Sequence, residues 1–127
     1  MHERLLFVCA AFAFAVISNA VHATAGKPPS IVMIEEYRSY AASYVKEQPR
    51  QVALDLPAFV KHVESKYGPP TVKSETSPLW FLKVPDEEGM CVTLELFQSS
   101  KTAGIKWDAG VLKCNHPKYL KKGILPR

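Results

Sequence analysis

Hydrophobic positions follow three different patterns along this chain, and each pattern predicts a different element. Leu5 to Ile17 is an unbroken apolar run of 13 residues. From Ile31 to about Glu47, Ile34, Tyr37, Ala41, Tyr44 and Val45 recur at helical spacing, and Met33 and Tyr40 widen the stripe. Ser30 is the expected N-cap, and Pro49 stops the helix. Phe59, Val60, Val63 and Tyr67 mark a second helix. Asp55 is its expected N-cap, with Pro57 in the first turn and Leu54 and Phe59 placed as a hydrophobic staple. Gly68 followed by Pro69 and Pro70 ends it.

Beyond Thr71 the period changes to two. Val72 opens an extended segment, Leu79–Val84 and Met90–Gln98 read as strands, and Pro85–Gly89 is the loop of a hairpin between them. Residues 98–104 form a second turn, and Ile105–Cys114 is a third strand. A hairpin centred on Glu87 sets Val84 opposite Met90, Leu82 opposite Val92 and Trp80 opposite Leu94. If Cys91 and Cys114 oppose each other directly, Leu94 faces Val111, Leu96 faces Ala109, and the second turn centres on Thr102-Ala103. One face then carries Trp80, Leu82, Val84, Met90, Val92, Leu94, Leu96, Trp107, Ala109 and Val111. The expected fold is α+β: two N-terminal helices packed on a three- to four-stranded antiparallel meander with one disulfide.

The opposite face carries Leu79, Phe81, Phe97, Leu112 and the disulfide among charged residues, which is more apolar than a solvated face requires. Two coverings are open. The C-terminal segment with Tyr119, Leu120, Ile124 and Leu125 folds over it, or the cluster is a partner-binding patch.

Composition sharpens this picture. The chain has 127 residues and is 47% hydrophobic, which suits one small globular domain. The 13-residue run is too short to cross a bilayer core of about 30 Å. It follows a short start containing Arg4 and precedes small residues, the layout of a cleaved secretory signal peptide spanning residues 1–23. Residues 24–127 are then the single domain, and their destination is the periplasm or the exterior. Cys9 belongs to the leader, which leaves Cys91 and Cys114 as a pair in an oxidising compartment. Their disulfide is expected to contribute roughly 3 kcal/mol.

The net charge of +4 is concentrated late in the chain. After Asp108 there is no acidic side chain, while Lys113, Lys118, Lys121, Lys122 and Arg127 remain. That basic tail suits an anionic lipid, a glycan or an acidic protein in the cell envelope. Catalytic patterns are missing: there is no Gly-rich phosphate loop, HExxH or GxSxG. His62 reads as a solvated helix-face residue, and neither His62 nor His116 has a nucleophile beside it in sequence. No metal, cofactor, nucleic-acid partner or enzymatic activity is expected.

The run Val63–Trp80, with its helix, Tyr67-Gly68-Pro69 stop and Trp-bearing strand, is similar to small bacterial envelope proteins. These are outer-membrane-assembly lipoproteins and β-lactamase-inhibitor-like modules, in which two helices precede an antiparallel sheet. The likeness covers under a fifth of the chain, and the lipidated cysteine of the lipoproteins is missing. No residue role is carried over from it.

The functional expectation is a small exported binding protein, of inhibitor, immunity or envelope-assembly type. Leu79, Phe81, Phe97 and Leu112 would supply the contact, and Lys118, Lys121 and Lys122 would steer an acidic protein partner. The alternative is an envelope-surface protein whose basic C-terminal tail binds anionic lipid or glycan.

Overall fold

The computed structural model describes residues 26–98 and 104–127. The proposed leader and the centre of the second turn lie outside these residues. The fold is α+β, as the patterns require. Helices α1 (Pro29–Glu47) and α2 (Leu56–Tyr67) precede a three-stranded antiparallel sheet, β1 (Leu79–Lys83), β2 (Met90–Gln98) and β3 (Ile105–Lys113), in the order β1-β2-β3. A short helix that the sequence reading did not anticipate, α3 (Pro117–Leu120), follows the sheet.

Both helix starts differ in detail from expectation. Pro28 occupies the N-cap of α1 and no side chain caps it, so Ser30 is not the cap. Ser30 is instead a buried residue of the helix, and its hydroxyl donates to Glu87 Oε1 of the first hairpin loop at 3.2 Å. Pro29 removes one of the N–H groups a helix start must otherwise satisfy, which lessens the need for a cap. Asp55 does occupy the N-cap of α2, but its side chain makes no capping hydrogen bond. Gly68 ends α2 with a positive φ of 79°, and its N–H bonds Glu64 O. The Trp80 indole N–H donates to Gly68 O at 2.7 Å, tying this helix end to the sheet.

The core face is the one the alternation predicts. Ile34, Tyr37, Ala41, Leu56, Phe59 and Val63 of the helices pack on Trp80, Val84, Val92, Leu94, Leu96 and Ile105, with Leu82, Met90, Trp107, Ala109 and Val111 at its margin. The Tyr37 hydroxyl, buried in this core, donates to Glu95 O.

The first hairpin has the expected register, with Trp80 opposite Leu94 and Leu82 opposite Val92. The second does not. Leu94 lies opposite Ala109 and Leu96 opposite Trp107, a slip of two residues from the expected pairing. Cys91 faces Leu112, and Cys114 lies beyond the strand with its N–H on Gly89 O. The disulfide nevertheless forms, diagonally, with the two Cα atoms 5.0 Å apart. A slip of two leaves every side chain on its original face, so apolar alternation cannot distinguish the two registers.

Candidate functional site

The outer face of the sheet is covered by the chain itself. Leu79, Phe81, Cys91 and Tyr119 form a second buried cluster, with Val72, Leu112, Cys114 and Ile124 packed against it. The Tyr119 ring stacks on Phe81 with centroids 4.8 Å apart. Burial raises the Tyr119 hydroxyl pKa, with Glu95 adding to the effect. The covering segment is held at two points. His116 Nδ1 accepts from Lys118 N–H at 3.1 Å and caps α3, and the last turn closes through Ile124 N–H on Tyr119 O. At the far end, Arg127 N–H donates to Phe81 O and Lys83 N–H donates to Arg127 O.

The residues expected to supply a partner contact are therefore not brought together on a free surface. Leu79 and Phe81 are buried under the C-terminal segment, which corrects their reading as an exposed patch. Phe97 and Leu112 are half-buried. The basic residues fare differently, since Lys118, Lys121 and Lys122 are all exposed. Leu120 and Leu125, expected to cover the sheet with Tyr119 and Ile124, remain 57% and 68% exposed. Tyr119 and Ile124 do the covering, while Leu120 and Leu125 stay exposed on the segment that carries the three lysines. The basic tail is thus a folded cap, anchored by its aromatic and its main chain.

A second feature escaped the sequence reading. The His62 ring lies between Tyr40 and Tyr44, with centroids 4.4 Å from each and near-parallel planes. The Tyr40 hydroxyl also donates to His62 O at 2.8 Å. His62 is half-buried and clasps α2 to α1, so its reading as a solvated residue is corrected. The two tyrosines lie one helical turn apart on α1, a spacing that also serves ordinary core packing, so only the helix–helix contact shows the sandwich.

Tyr67 lies nearby, between α2 and the start of α1. Its hydroxyl is buried without a hydrogen-bond partner among the described residues. Burial, helped by Glu36 and Tyr40, pushes its pKa up to about 12. Burial raises the Tyr37 pKa further, with Tyr67 and Glu95 adding to the effect. Ordinary phenols of this kind hold folds together and do not act as bases near neutral pH.

Among the described residues no group of three or more His, Cys, Asp or Glu is placed to hold a metal ion. No helix among them is long and apolar enough to cross a membrane. What the arrangement offers is a rigid domain bearing one lysine-rich cap with two exposed leucines. No protein-family model, curated protein or solved structure matches this chain significantly.

Proposed function

We propose that this chain is a small exported protein of the cell envelope that binds an anionic membrane surface through its C-terminal cap. One observation carries the reading: Leu120 and Leu125 stay exposed beside Lys118, Lys121, Lys122 and Arg127, on a segment locked to the sheet by Tyr119 and Arg127. Exposed leucines among cations suit the boundary between lipid headgroups and acyl chains. Each Lys or Arg near an anionic lipid surface contributes about 1 kcal/mol, screened by salt. The reading invokes binding alone and no chemistry at the protein's own side chains. An acidic envelope protein, captured as an inhibitor, immunity protein or assembly accessory captures its target, would meet the same charges, and the vesicle test separates it from a membrane surface.

Co-sedimentation with vesicles tests the proposal. The protein is expected to bind vesicles containing phosphatidylglycerol and to leave pure phosphatidylcholine vesicles in solution. Reversing Lys118, Lys121 and Lys122 to glutamate should weaken binding by about 100-fold or more. Leu120→Ser with Leu125→Ser should weaken it at every salt concentration. Equal binding to both vesicle types, or binding unmoved by the charge reversal, overturns the reading. Capture of an acidic protein without vesicle binding overturns it in favour of a protein partner.

A further inference from the structure

The sheet has two edges, and they are finished differently. In β1, Leu79 exchanges both main-chain hydrogen bonds with Val72, at 3.0 and 3.1 Å. Phe81 N–H donates to Thr71 Oγ1 at 2.9 Å, Phe81 O accepts from Arg127 N–H, and Lys83 N–H donates to Arg127 O. Every outward-facing N–H of β1 is therefore occupied.

The other edge is nine residues long. In the observed register Lys106, Asp108, Gly110 and Leu112 face β2, so the main-chain groups of Ile105, Trp107, Ala109, Val111 and Lys113 point outward. Only the middle of this row is covered, and by side chains. Ala109 N–H donates to Asp108 Oδ1 at 2.9 Å, and Ala109 O accepts from Arg38 Nη2 at 3.2 Å. The outward groups of Trp107 and Val111 have no partner among the described residues. A long unpaired edge of this kind is a template for another strand.

We propose that β3 is a homodimerisation strand and that its occupant is β3 of a second copy of this chain, paired antiparallel about a two-fold axis at Trp107. The side chains favour a copy of the strand over an unrelated one. On the outer face Lys106 and Asp108 carry opposite charges two positions apart. Self-pairing centred on Trp107 sets each Lys106 against the partner's Asp108, and two-fold symmetry makes that pair twice. On the core face the half-buried Trp107 meets its own copy, and Ile105 meets the partner's Ala109. The paired stretch ends where Gly104 falls opposite the partner's Gly110, so no side chains collide at its limits. Asp108 and Arg38 hold the place of the second strand in the monomer. On pairing, Ala109 exchanges both side-chain bonds for main-chain bonds, and Asp108 turns to the partner's Lys106. The result is one continuous six-stranded sheet.

Sedimentation velocity on the purified protein tests this across a concentration range. The wild type is expected to shift from monomer to dimer as concentration rises. Asp108→Lys opposes lysine to lysine and should weaken association by about tenfold or more. Combining Lys106→Asp with Asp108→Lys should restore it, because the swapped charges again oppose. Circular dichroism melting establishes that both variants fold. Hydrogen exchange at the Trp107 amide should slow as the wild type is concentrated. A wild type that stays monomeric throughout overturns the proposal, and so does a dimer that survives Asp108→Lys unchanged. Failure of the charge swap to restore the dimer overturns the register on which the proposal rests.

Discussion

The edge of β1 is closed by main chain and a half-buried threonine, whereas the edge of β3 is closed by two exposed side chains at a single residue. The difference lies in what each closure costs to open. Freeing β1 means removing Val72 and Arg127, and with them Tyr119 from the outer face of the sheet. Freeing β3 means rotating Arg38 and Asp108 into water, which already solvates them. One edge belongs to the folding unit and the other is available to a partner. The same contrast separates the two faces of the sheet, because helices bury one and a short terminal segment buries the other.

The largest effect should follow from breaking the sealed side. Tyr119→Ala removes the ring stacked on Phe81 and should cost about 3 kcal/mol of unfolding free energy in urea titration. Truncation after Cys114 should cost more, because it also strips Arg127 from β1 and exposes Phe81. A tail that merely trailed in solvent would leave both curves unmoved.

Alkali should act on both sides of the comparison at once. The pKa values of Tyr37, Tyr67 and Tyr119 are raised in the folded state above the ordinary 10.0. The unfolded chain therefore releases these protons first. Their contribution to stability is complete below pH 10 and is lost as pH rises through the folded values, near 12 for Tyr67. Urea midpoints should fall steeply between pH 10 and 12, and tyrosinate absorbance at 295 nm should rise together with unfolding. Independent titration of these tyrosines near pH 10 in a folded protein would contradict their burial.

Thr71→Val sharpens the contrast between the edges. Thr71 Oγ1 is the acceptor for Phe81 N–H, and valine leaves that group unpaired at a buried position, at a cost of about 1–3 kcal/mol. Arg38→Ala is the matching change at β3. It uncovers Ala109 O at an exposed edge and should alter monomer stability by less than about 0.5 kcal/mol. Its effect should appear in self-association, which is expected to strengthen once the place-holder is gone. Equal destabilisation by the two substitutions would erase the distinction between a structural and an available edge.

Much of this fold is legible in the chain. Helical spacing in Ile34, Tyr37 and Ala41, and in Phe59 and Val63, announces the two helices and the side each buries. Gly68, with its positive φ, marks where the second one ends. The short Pro85–Gly89 loop leaves little freedom for the first hairpin, whose register came out as expected. The disulfide was legible as a pairing of cysteines but not as a constraint on register, since a diagonal bridge satisfies it as well as a direct one. The candidate site was legible only as charge. Lys118, Lys121 and Lys122 stand out in any reading, whereas nothing local tells Tyr119 and Ile124, which turn inward, from Leu120 and Leu125, which do not.

The sequence by itself determined the two helices, the identity of the sheet's core face and the clustering of positive charge, because periodicity and composition are local properties. Tertiary structure alone decided the slip of the second hairpin, the His62 clasp between the helices, the burial of Phe81 beneath Tyr119 and the unequal closing of the two edges. Each of these depends on segments distant in sequence meeting in space. A pattern of period two is unchanged by a shift of two, and a strand carries no mark of which neighbour will occupy its free side.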